Sequence, residues 1–119
     1  MTIEEVVVSA LASIAKAHPN VMPSGGAVPC IVYQMISGPS DFAEHVTPRF
    51  QLACWASSYG GAVTLGDAVR NAMHQKHATV SGLHYQSMVV NEMDGNSEPD
   101  AGLFCRIVDV KFFYQKSLT

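Results

Sequence analysis

The sequence predicts an α+β domain: an antiparallel four-stranded sheet from two hairpins, with two helices packed on one face, in the order α-β-β-α-β-β. Three observations predict it. Apolar residues recur at helical spacing near the N-terminus and again over 59–77. Four further stretches, 30–36, 49–56, 83–92 and 103–114, read as strands. Two long polar connections, 38–47 and 94–102, join those strands pairwise. The whole of 1–119 reads as a single domain.

The first helix begins at Thr2, which forms a capping box with Glu5. Ile3, Val7, Ala10, Leu11, Ile14 and Ala17 make its apolar face. His18-Pro19 ends it, because Pro disfavours helical geometry at the preceding residue. A loop follows over 20–29, with Gly25-Gly26 at its centre. No GK[ST] and no helix follow those glycines, so a phosphate-binding loop is excluded.

The first strand is apolar on both faces except at Gln34. Ser37-Gly38-Pro39-Ser40-Asp41 breaks it. In the second strand Phe50, Leu52, Cys54 and Ala56 form the apolar face, which turns Arg49 and Gln51 outward. Ser57-Ser58 caps the second helix, whose stripe runs through Tyr59, Ala62, Val63, Leu65, Val69, Ala72 and Met73. Asp67 and Arg70 stand three apart and can pair on its outer side. The third strand alternates Leu83, Tyr85, Ser87 and Val89 with His84, Gln86, Met88 and Val90. The last strand sets Phe104, Val108, Val110, Phe112 and Tyr114 on one face, with Arg106 interrupting, and Asp109 and Lys111 on the other.

Charged residues make up only 14% of the chain, against about 25% in a typical domain. A surface with few ions to desolvate is well suited to burial against a partner. The net charge is −3 and the seven basic residues are scattered, which argues against a nucleic-acid-binding face. The acidic start Met1-Thr2-Ile3-Glu4-Glu5 does not read as a secretory signal, and no apolar run approaches the length of a membrane span. Cys30, Cys54 and Cys105 are widely spaced in apolar runs and read as buried, reduced thiols.

No constellation carries catalytic chemistry. His74-x-x-His77 is the best metal candidate, but it lacks further ligands and lies where a histidine also complements a helix C-terminus. Asp94, Glu98 and Asp100 read as a solvated turn rather than a calcium loop. No catalytic residue, metal ligand or cofactor is assigned.

Three strings remain: Pro-x-Ile-Val-Tyr-Gln-x-Ile-Ser-Gly over 29–38, Arg-Phe-Gln-Leu-x-x-Trp-Ala-Ser-Ser over 49–58, and Arg-x-x-Asp-Val-x-Phe-x-Tyr over 106–114. With the leading helix, they make the chain resemble the tail completion, or tail terminator, proteins of long-tailed bacteriophages and prophages. The Ala53-Cys54 pair departs from the aspartate or asparagine more usual in the second string.

The resemblance implies a structural virion protein. Such proteins form a ring, typically a hexamer, at the head-proximal end of the tail tube. They end tube growth and offer a docking surface to the head connector, and DNA passes through the lumen unread. The implied partners are other copies of the chain, the tail tube protein and the head–tail joining protein. The implied location is the virion tail, assembled in the bacterial host cytoplasm. A closed ring needs two different patches that meet. The long loops and the outward sheet face supply them in this reading, through Phe42, His45, Arg49, Glu98 and Asp100. Alternatives are another head–tail connector, a tail-tube component, or a small oligomeric enzyme or ligand-binding domain.

Overall fold

The computed structural model describes residues 3–20, 27–37, 45–80 and 82–115. Helix α1 spans Ile3–Leu11 and helix α2 spans Tyr59–Met73. The strands are β1 (Lys16–Pro19), β2 (Cys30–Ser37), β3 (His45–Val46), β4 (Arg49–Ala56), β5 (Lys76–Val80), β6 (Leu83–Asp94) and β7 (Phe104–Gln115). They form one mixed sheet in the order β1-β2-β4-β7-β6-β5, with β3 added to β7. A four-stranded antiparallel sheet in the order α-β-β-α-β-β is therefore not the fold: six strands make the path, and β1 runs parallel to β2.

Two expected helix tails are strands. The first helix is expected to run through Ala17 and stop at His18-Pro19, yet it ends at Leu11, and Lys16–Pro19 pairs with Cys30–Tyr33. Ile14 and Ala17 pack against the core in either form, so helical spacing could not separate the two. Pro19 is tolerated because β1 is an edge strand, where a missing N–H costs no ladder bond. The segment 74–77 was likewise assigned to the second helix. That helix stops at Met73, its cap His74 is extended, and Gln75 turns left-handed at φ 52°. The chain then enters β5, antiparallel to β6.

The elements that form do so for legible reasons. Ser58 Oγ accepts from the Gly61 N–H at 3.0 Å and caps α2. Thr2, the expected cap of α1, lies outside the described residues. Along β4 burial alternates strictly, with Phe50, Leu52, Cys54 and Ala56 inside. Pro48 separates β3 from β4, and its carbonyl accepts from the Phe112 N–H at 2.9 Å, which keeps the broken strand against β7.

Both helices contribute to one core. Ile3, Val6, Val7 and Leu11 of α1 and Leu65, Val69 and Met73 of α2 meet Ile31, Phe50, Leu52, Val108 and Val110. Phe112 lies at its centre, with ring centroids 5.6 Å from Phe50 and 5.7 Å from Tyr85. Helix α2 comes close to β7 at Gly66, where an added Cβ would sit 2.8 Å from Arg106 Cγ. Ser87 Oγ donates to the Met73 carbonyl at 2.8 Å and ties the end of α2 to β6.

Candidate interaction surface

Among the described residues the helices cover one face of the sheet and leave the other without a helix. Cross-strand register lays out that second face in rows. One row runs Gln34, Gln51, Asp109, Asn91, and a second runs Val32, Ala53, Ile107, Met93. A third places Trp55 between Cys30 and Cys105. Arg49 pairs with Lys111, which pairs in turn with Met88.

Asp109 dominates the electrostatics of this face. It is only 3% exposed, and its Oδ2 accepts from Arg49 Nη2 at 2.9 Å. Arg49 Nε and Asp109 Oδ1 are buried without a hydrogen-bond partner. Half of a two-pronged guanidinium–carboxylate contact is thus made and half is not. Each unmatched buried polar atom costs about 1–3 kcal/mol. Arg49 keeps 39% of its side chain exposed, so the pair is reachable from the cation's side.

A second ionic cluster sits where α2 meets the far end of β6. Arg106 Nη1 donates to Asp94 Oδ1 at 2.9 Å, and Tyr59 Oη donates to both Asp94 oxygens at 3.1 and 3.3 Å. Arg70 Nε donates to Glu92 Oε2 at 3.0 Å, in place of the expected pairing with Asp67. The hydrogen bond to Asp94, and then its charge, hold the Arg106 pKa up against the opposing effect of burial. Arg106 stands at an inward position of β7, and this cluster explains how a cation is accommodated there.

The loop after β6 folds back on β7. The Gly95 N–H donates to the Cys105 carbonyl, and Ser97 Oγ accepts from the Cys105 N–H, both at 3.0 Å. Glu98 pairs with Leu103 through two backbone bonds, and Pro99–Ala101 forms a 3-10 turn. The loop is closed on itself rather than an open arm.

The expected interface residues scatter. Arg49 lies on the open face in the buried pair just described. Glu98 and Asp100 are exposed on the loop between β6 and β7, with Asp100 in its 3-10 turn. His45 enters β3, opposite Gln115. Phe42, with the 38–44 part of its loop, lies outside the described residues. Asp109, Tyr59, Glu92 and Arg106 were not singled out by sequence as partners, and Arg70 was matched with Asp67 instead of Glu92. The only hint was a cation, Arg106, interrupting an apolar face.

Potential chemistry elsewhere is sparse among the described residues. Cys30, Cys54 and Cys105 are free and buried. Burial pushes the Cys54 thiol up to about 12 and the Cys105 thiol to about 11, with neighbouring thiols adding to the effect. The reactive thiolate is therefore suppressed. His74 caps a helix while His77 is exposed on β5, so the two do not share a helix face. No group of three or more His, Cys, Asp or Glu among the described residues is placed to hold a metal. An apolar groove of about 620 Å³ lies between Ile14, Pro29, Ser57, Gly60 and Leu65, and no titratable described residue lines it. Among the described residues no helix is long and apolar enough to cross a membrane.

A search of curated proteins finds no match. The model of the family described as tail completion protein gp17 matches residues 4–115, nearly the whole chain. On that coverage the chain belongs to the tail completion protein gp17 family and is a phage tail completion protein.

Proposed function

We propose that the chain is a tail terminator subunit that acts as a ring, a hexamer, at the head-proximal end of the tail. The family match over 4–115 carries this reading. The ring ends tube polymerisation and presents the joining surface to the head connector. Its partners are further copies of the chain, the tail tube protein and the head–tail joining protein, and DNA crosses the lumen without being read. A net charge of −3 with scattered cations suits passage of a polyanion without capture. The protein acts through surfaces and not as an enzyme. It is assembled in the host cytoplasm and carried in the virion tail.

Arg49, Glu98 and Asp100, with Phe42 and His45, are assigned to subunit and partner contacts. The part-exposed Arg49 and the exposed Glu98 and Asp100 suit that assignment.

The test is tube growth. Tail tube protein is polymerised with and without the purified chain, and tubes are measured by negative-stain microscopy. Shortened tubes with a ring at one end are expected. Incorporation along the tube length would instead assign the chain to the tube, and an unchanged length distribution would overturn both readings.

A further inference from the structure

The two ends of the sheet are complementary steps. At one end β1 covers β2 only over Cys30–Tyr33, so β2 is open from Gln34 to Ser37 among the described residues. At the other end β5 covers β6 only over Leu83–Ser87, so β6 is open from Met88 to Asp94. Register across the sheet sets the levels. Tyr33 is level with Leu52, Val108 and Glu92, and Ile31 with Cys54, Arg106 and Asp94. β1 therefore projects on the levels where β6 is bare, and β5 projects beyond them.

Exposed apolar side chains gather on the same two stretches. Seven large hydrophobic residues are prominently exposed among the described residues. Five of them lie here: Met35 (40%), Ile36 (43%), Met88 (37%), Val90 (39%) and Met93 (40%). Neither stretch carries the Lys or Pro that commonly blunts an edge, whereas β1 carries both, Lys16 at its start and Pro19, with no N–H to give, at its end. Each carries a register shift, between Met35 and Ser37 and between Val89 and Asn91. Such bulges pin register rather than let strands slide. His74 Nδ1 accepts the Val89 N–H at 3.3 Å, which leaves 91–94 as the open run. Ala17, His18 and Pro19 of β1 stand on the levels of Asp94, Met93 and Glu92.

We propose that β1 of a second copy adds to the open edge of β6 over 92–94. This rests on the ring reading and supplies its subunit contact. β2, β4, β7 and β6 alternate in direction and β1 is parallel to β2, so the new pair is antiparallel. The contact joins two different edges and is heterologous, as a ring requires. Lys16 starts β1, while Glu92 and Asp94, paired within the subunit with Arg70 and Arg106, lie at the open end of β6. Main-chain bonds supply affinity in such strand addition, and the flanking apolar side chains supply specificity.

The test is a cysteine pair at level positions, His18→Cys with Met93→Cys, oxidised both in the purified chain and on tail tubes. A ladder of covalent multimers on a non-reducing gel, absent from either single variant, is expected. Val90→Lys, at an exposed position, is expected to weaken association at least tenfold while thermal unfolding of the monomer stays within about 2 °C. An oligomer of normal mass that gives no ladder, or one that Val90→Lys leaves intact, overturns the edge pairing and leaves the ring reading standing. A chain that stays monomeric in both settings overturns both.

Discussion

The two faces of the sheet share strands but not chemistry. On the helix side, Phe50, Leu52, Val108, Val110 and Phe112 are all fully buried. On the other side, Arg49, Gln51, Ala53, Trp55, Ile107 and Lys111 are half-buried, while Cys30, Val32, Cys105 and Asp109 are buried. The first face is closed by α1 and α2 and holds the domain together. The second, with the bare edges of β2 and β6, carries no helix among the described residues. What separates the faces is their cover: α1 and α2 lie on the first, and among the described residues no helix lies on the second. Four perturbations probe that contrast.

The largest effect is expected on the closed face. Phe112→Ala removes the ring at the centre of the core and should lower stability by about 3–5 kcal/mol. Urea unfolding followed by circular dichroism measures it. On the open face, Arg49→Met strips the partner from a carboxylate whose side chain is 4% exposed, and a loss of about 2–3 kcal/mol is expected. Adding Asp109→Leu should restore most of it, since an apolar pair leaves no unmatched charge. If Arg49→Met is silent, the pair contributes nothing and the open face is softer than its burial indicates.

Next comes the loop that closes on β7. Gly95→Ala would place a Cβ 2.5 Å from Cys105 Sγ and 3.0 Å from its Cβ. Overpacking of this kind costs about 1–3 kcal/mol, read from the same unfolding curves. The smallest effect at neutral pH concerns the thiols. Burial raises the folded-state pKa of Cys54 to about 12 and of Cys105 to about 11, from the ordinary thiol value of 9.0. Below pH 9 both states keep their protons, so the stabilisation is intact. Between about pH 9 and 12 the unfolded chain loses protons that the folded chain retains, so stability falls as pH rises. Unfolding midpoints from pH 8 to 11 should therefore decline. A thiol reagent at pH 8 should modify none of the three cysteines until denaturant is added.

Much of the closed face was legible in the sequence, because complete burial leaves a strict signal. Alternation in 49–56 placed Phe50, Leu52, Cys54 and Ala56 inward, where the structure has them. The strands that make the sheet mixed were not legible. Lys16–Pro19 is four residues long and its partner is sequence-distant, so only tertiary pairing reveals it. β5 begins after a left-handed turn at Gln75, a residue with no glycine-like or asparagine-like signal for that conformation. The open face was legible only as outward-facing positions. Arg49 finds Asp109 sixty residues away, and no local pattern links them. The steps at the sheet ends follow from which strands fall short of their neighbours, a property of topology that composition and spacing do not carry.

The central claim is that this chain assembles head to tail into a closed ring through surfaces its own helices leave uncovered. Native mass spectrometry across a concentration series tests it most directly. A single closed species at six times the 12.8 kDa subunit mass, with no larger multiples as concentration rises, is the predicted result. An open-ended ladder of multiples, or a monomer at every concentration with tail tubes present, would contradict it.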